Sequence, residues 1–271
     1  VLDDGGAVSG VRKGPVIAVA VLAGLALGAP WLGLEDPVRM DVAHRLAGPS
    51  AAHWLGQDEL GRDVLARLVW GARTSLTVAC LSTLLATVIG TALGMMAGFA
   101  GVVPAFLALR GSEVLLCFPP LLLALLVVTL LGPGAGTLVP VLALVFLPGF
   151  VRVVHAGVLT VRAMDYVEAA RVVGARPVRI ALRTILPNIA GPVLVQASLT
   201  AAAAVVLESG LSFLGLGVVP PAPSWGLMIG SARATMTQVP LLLLWPCLAL
   251  CATILVLNAL CDALRDTIAR R

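Results

Sequence analysis

The chain has 271 residues, 59% of them hydrophobic and 12% charged, with a formal net charge of +4 and a mean hydropathy of +1.04. A soluble domain carries about 25% charged residues, so this chain has too little charge to cover a surface in water. The same apolar content excludes disorder and a collagen-like fibre, and five cysteines, all in or beside apolar stretches, exclude a secreted disulfide scaffold. An integral membrane protein remains.

A helix needs about 20 mostly apolar residues to cross the hydrocarbon core. The first such run is Pro15 to Leu34, behind Arg12 and Lys13. It is followed by no convincing small-residue cleavage site, so it reads as a span rather than a leader. The polar stretch Glu35 to Arg73 then carries eleven charged residues. Within it Leu60, Val64, Leu65, Leu68 and Val69 form a helical stripe opposite Arg62, Asp63 and Arg67, which predicts an interfacial helix over Leu60 to Leu76 on the outer face. Five more spans follow: Thr74 to Ala100, Glu113 to Leu131, Thr137 to His155, Ile189 to Leu211 and Val239 to Cys261. Leu and Ala dominate them without the alternation of a transmembrane barrel. The expectation is an all-α integral membrane protein of six spans. Residues 1–73 form a tail, first span and outer segment, and residues 74–271 form the membrane core.

The basic residues are dispersed beside apolar runs, a pattern that sets topology and does not suit nucleic acid. With the N-terminus inside, twelve of the eighteen Lys and Arg fall on inner segments and six on outer ones. That excess places both termini in the cytoplasm. Trp31, Trp54, Trp70, Trp225 and Trp245 all lie on or near the outer side, where amphipathic rings favour the interface.

Between the fourth and fifth spans, Arg162 to Asn188 reads RAMDYVEAARVVGARPVRIALRTILPN. Local chemistry makes it two short helices. Asp165 and Glu168 form a capping-box pattern, Gly174 ends the first helix in a left-handed conformation, Pro177 opens the second and Pro187 ends it. The first helix presents Ala169 and Ala170, with Arg171 beside them, a small-residue face that another protein's groove can approach closely. A plain connector is the alternative.

Glu168-Ala169-Ala170, three residues, Gly174, then eleven residues and Leu186-Pro187 resembles the EAA loop of bacterial ABC importer permeases. Three further segments are similar to the second permease subunit of the dipeptide, oligopeptide and nickel importers: HWLGQDELGRDVLARLVWGARTSL (His53 to Leu76), ESGLSFLGLGVVPPAPSWGLMI (Glu208 to Ile229) and NALCDALRD (Asn258 to Asp266). Gln57 departs from that pattern, where Thr is usual, as does Gly111-Ser112-Glu113, where an Asp is usual.

The resemblance implies the type I ABC importer permease fold, working by alternating access as half of a translocation pathway in the bacterial cytoplasmic membrane. It implies a sister permease subunit, two cytoplasmic ATPase subunits, identical or different, and an extracytoplasmic substrate-binding protein. ATP and Mg would sit on the partners, with no cofactor on this chain. The coupling loop would comprise Asp165, Tyr166, Glu168, Ala169, Ala170, Arg171, Gly174 and Pro187. Di- and oligopeptides are the leading cargo; a nickel chelate or a glutathione-like peptide is the alternative. The residues agree on the division of labour. The one lysine, Lys13, stands in no G-x-x-x-x-G-K-[ST] phosphate loop, so ATP chemistry is not expected here. A stand-alone secondary transporter or channel, the rival from another class, would carry intramembrane charges or broken helices along its path.

Gly90, Gly94 and Gly98 place small residues on one face of the second span, a helix-packing signal. Glu208 is an acid near the outer end of the fifth span, a polar residue for the pathway or a snorkelling group. The run Gly215, Gly217, Pro221 and Trp225 reads as a rigid outer loop, either a gate or docking surface for the binding protein or simple loop packing. His44, His53 and His155 have no metal-site spacing in the sequence, and no metal is expected.

Overall fold

Long apolar runs make the helices of this protein, and prolines and glycines decide where they stop. The computed structural model describes residues 13–99 and 101–269. Helix α1 (Lys13–Gly28) leads through two short turns into the outer segment. Helix α2 (Val64–Phe99) is followed by α3 (Val102–Leu116), α4 (Pro120–Leu131) and α5 (Ala135–Arg162). The short helices α6 (Asp165–Val172) and α7 (Pro177–Ile180) precede α8 (Leu186–Phe213). Helices α9 (Trp225–Ala232) and α10 (Leu241–Ala269) complete the chain. Among the described residues, 5 helices are long and apolar enough to cross a membrane, or 6 if α3 and α4 count as one bent crossing.

That bend corrects the third predicted span. Instead of one helix over Glu113 to Leu131, α3 and α4 meet at 93°. Pro119 and Pro120 lack an N–H, and the residue before a proline is pushed out of the helical region. The ladder therefore stops at Leu116, although hydropathy continues unbroken.

The outer segment corrects a second expectation. No separate interfacial helix precedes α2: the stripe from Val64 onward is the first turns of a single 36-residue helix, about 54 Å long and longer than the hydrocarbon core. The boundary drawn between residues 73 and 74 thus falls inside α2. Nor does the polar side of that stripe face water. Asp58, Arg62, Asp63 and Arg67 are all buried. Asp58 accepts from Arg62 Nε at 2.7 Å and pairs with Arg67 Nε at 3.3 Å, while Arg62 reaches Glu59 at 2.9 Å and Arg67 donates to the Pro37 carbonyl at 3.1 Å. Asp63 caps α2 by accepting the Ala66 N–H at 2.6 Å. Buried charges are tolerated when paired and hydrogen-bonded in this way.

At the centre, α2, α5 and α8 pack on one another. A Cβ at Gly90 would run into Phe150, and one at Gly98 into Val158. At Gly94 it would lie 2.7 Å from Val154 Cβ and 2.9 Å from the Val151 carbonyl. Glycine at these three positions lets α2 approach α5 more closely than a side chain permits. Phe150, Val154 and Val158 are correspondingly buried. Helix α10 packs on α8 and α9, and α1 on α2 and α10.

Candidate functional site

The loop after α5 is held at both ends. Arg162, the last residue of α5, donates from Nη1 to the Gly98 carbonyl at 2.7 Å and ties the end of α5 to the end of α2. Helix α6 then begins at Asp165, with extended Met164 as its N-cap and no side-chain cap. The capping box is therefore not formed. Asp165 and Glu168 both lie in the first turn, where their charge suits the positive end of the helix dipole. Glu168 turns to Arg171 at 3.2 Å, an exposed pair of little energetic weight.

The other end of α6 is a Schellman motif. Gly174 has φ +82°. Its N–H donates to the Arg171 carbonyl at 2.9 Å, and the Ala175 N–H donates to the Ala170 carbonyl at 3.0 Å. These two bonds satisfy carbonyls that the helix end leaves free. Ala170 and Ala175, the residues flanking the motif, both pack onto the core.

One residue fixes the helix to the body of the protein. Val167 is fully buried and belongs to the same core cluster as Val154 and Val158 of α5 and Ile180, Ile185 and Ile189 beyond the turn. Its anchoring role was not read from the sequence; a lone apolar residue within DYVEAAR was its signal. With Val167 inward, the outward face of α6 is Tyr166, Ala169, Val172 and Val173, spaced to fall on one stripe. Val172 and Val173 are 80% and 87% exposed. Two nearly naked valines beside an exposed alanine make an apolar ridge outside the membrane-crossing helices.

Pro187 does not end the second helix. The run Pro177–Phe213 is continuous, and residues Ala181–Ile185 form a π-helical turn. A proline ring presses on the carbonyl four residues earlier, here that of Arg183, and the widened turn accommodates it.

The outer candidates separate. Gly215 (φ +77°) and Pro221 are exposed, whereas Gly217 is buried and a Cβ there would strike Ser212. Trp225 is not a docking surface. It is 2% exposed, with its indole N–H on the Leu68 carbonyl at 3.0 Å and its ring against Gly71 of α2. Glu208 does not snorkel either: it is fully buried, accepting from Ser212 Oγ at 2.8 Å and Ser209 Oγ at 3.3 Å. Ser212 Oγ in turn accepts the Val218 N–H at 3.1 Å, so the carboxylate holds the turn after α8 in place.

His53, solitary in the sequence, lies with Nδ1 2.9 Å from Asp63 and 3.6 Å from Glu35. These three side chains could offer a metal one imidazole and two carboxylates. Asp63 is already engaged through both oxygens, by His53 and by the Ala66 N–H, so the cluster is accounted for as the buttress of the α2 cap.

Residues 90–271 match the family model of the binding-protein-dependent transport system inner membrane component. The chain belongs to that family of transport permeases. The matched region takes in α5, the whole α6 loop, α8 and α10. A di/tripeptide transport system permease protein of Pseudomonas aeruginosa is 38% identical over 94% of this chain and 86% of its own length. A glutathione transport system permease protein of Pectobacterium atrosepticum is also 38% identical, over 92% of this chain and 83% of its own. A probable peptide ABC transporter permease protein of Sinorhizobium fredii is 42% identical over 89% and 82%. Membership in this permease family and the all-helical membrane fold agree with the sequence-level resemblance, and they displace the secondary-transporter reading despite the bent α3–α4 pair.

Proposed function

We propose that this chain is one permease subunit of a peptide importer driven by ATP hydrolysis on separate subunits. It forms half of a pathway across the bacterial cytoplasmic membrane, beside a sister permease and beneath an extracytoplasmic binding protein. Two ATPase subunits, with ATP and Mg bound to them, dock on the loops of the two permeases, one of them on α6 of this chain. The observation that carries the reading is the exposed Tyr166, Ala169, Val172 and Val173 ridge on a helix whose opposite side is locked into the core by Val167. A ridge so mounted passes an external push to α5 and to the run that leads into α8, because α6 packs on both α5 and α7. The excess of basic residues on the segments flanking α6 supports its cytoplasmic placement, and with it both termini inside.

Short peptides are the cargo, since the di/tripeptide, glutathione and peptide permeases all align along most of this chain. Reconstitution in proteoliposomes with the sister permease, both ATPase subunits and the binding protein tests this. Labelled dipeptide should accumulate only with ATP, and glutathione should compete if the pathway takes γ-linked peptides. Uptake without the ATPase subunits, or none with any peptide, contradicts the proposal.

A further inference from the structure

The α7 end of the long helical run carries a second feature. Arg176, Arg179 and Arg183 follow one another at three- and four-residue spacing, all exposed and all bordering one concavity with Val178 and Leu182. Arg171 nearby is paired with Glu168, but among the described residues these three arginines have no carboxylate partner. Like charges one turn apart repel, so the cluster gains from an anion.

Val178 and Leu182 also belong to an apolar groove of about 680 Å³ between the last turns of α2 and the first of α8. Along α2 the groove runs from Thr87 to Phe99, about 18 Å at helical rise and close to the roughly 15 Å of one leaflet's hydrocarbon. Met95 and Met96 on one wall and Leu186 and Leu194 on the other give it an almost wholly apolar lining. An apolar slot of leaflet depth that opens onto three unpaired arginines suits an amphiphile with an acidic headgroup. A neutral lipid, or an apolar helix of a neighbouring subunit, would fill the slot and leave the arginines unanswered.

We propose that an anionic phospholipid of the cytoplasmic leaflet binds here, its phosphate on Arg176, Arg179 and Arg183 and its acyl chains in the α2–α8 groove. Basic sites between membrane helices on the cytoplasmic side hold such headgroups by this chemistry. The phosphate would pin the second half of the coupling loop, where it runs into α8. The proposal rests on the cytoplasmic placement of that loop, which cysteine labelling at Ala175 reads independently, so failure of one is distinguishable from failure of the other.

The test is native mass spectrometry of the purified four-subunit complex in detergent, titrated with phosphatidylglycerol or phosphatidylcholine. Wild type should retain phosphatidylglycerol with at least a tenfold preference. The combined Arg176→Gln, Arg179→Gln and Arg183→Gln variant should lose that preference while keeping all four subunits. Ala190→Trp, which fills the groove and leaves the arginines, should displace the lipid as well. Three outcomes overturn the proposal: undiminished phosphatidylglycerol retention in either variant, loss of the ATPase subunits from the arginine variant, which would assign the arginines to that interface, or loss of the sister permease from Ala190→Trp, which would assign the groove to a protein helix.

Discussion

Gly174 is the position where a single substitution separates the proposed coupling role from folding. Its φ of +82° is left-handed, and a Cβ there would meet nothing within 4 Å. The penalty of Gly174→Val is therefore one of backbone alone, about 1–2 kcal/mol for an L-residue in this conformation. That corresponds to roughly a tenfold shift between the formed and unravelled helix end. The bonds at risk are those of the Gly174 and Ala175 N–H groups to Arg171 and Ala170, so Ala169, Val172 and Val173 would lose their common ridge. The membrane helices keep their own hydrogen bonds and should insert normally. Gly174→Asn should retain much of the wild-type behaviour, because Asn tolerates the left-handed region. The assay is co-purification of the ATPase subunits together with ligand-stimulated ATP hydrolysis. The valine variant should show reduced coupling at normal membrane levels, and the asparagine variant should lie near wild type. Equal activity of all three, or equal damage by valine and asparagine, would refute the reasoning.

Other substitutions read the body of the protein. Asp58→Ala leaves Arg62 and Arg67 buried without their shared carboxylate and should cost about 3–5 kcal/mol, seen as a lower melting temperature and faster proteolysis of the outer segment. Gly94→Val forces a side chain against Val154 and the Val151 carbonyl; overpacking of this kind costs about 1–3 kcal/mol, and adding Val154→Ala should restore part of the thermal stability. Trp225→Ala removes a 2% exposed ring and should cost about 3–5 kcal/mol, so that assembly and thermal stability fall together with transport; a transport defect at full stability would return Trp225 to a gating role.

Features that depend on neighbours in sequence were legible. The length of the apolar runs gave the helices, and Gly174 and Pro177 gave one helix end and one helix start, because a left-handed cap and a first-turn proline are local requirements. Features that depend on distant partners were not. Arg62, Asp63 and Arg67 look like the wet side of an amphipathic helix until Asp58 and His53 are folded against them. Trp225 looks like an interfacial aromatic until Gly71 opens a place for it. The 93° break at Cys117 to Pro119 escaped hydropathy because proline removes a hydrogen bond without removing apolar surface. The capping box failed for a related reason: its residue types were right, but the chain entered the helix one residue earlier, at Met164.

The coupling role of α6 is tested most directly by a crosslink. In a background with Cys80, Cys117, Cys247, Cys251 and Cys261 replaced by serine or alanine, Ala169→Cys places a thiol at the middle of the exposed ridge. Treatment of the assembled complex with a short thiol crosslinker, with cysteines introduced along the ATPase groove, should join this chain to an ATPase subunit. The yield should change when ATP is bound, and an outer-loop cysteine at Pro221 should give no product. Absence of any crosslink from Ala169, in a complex where the ATPase subunits co-purify and hydrolyse ATP, would contradict the coupling assignment.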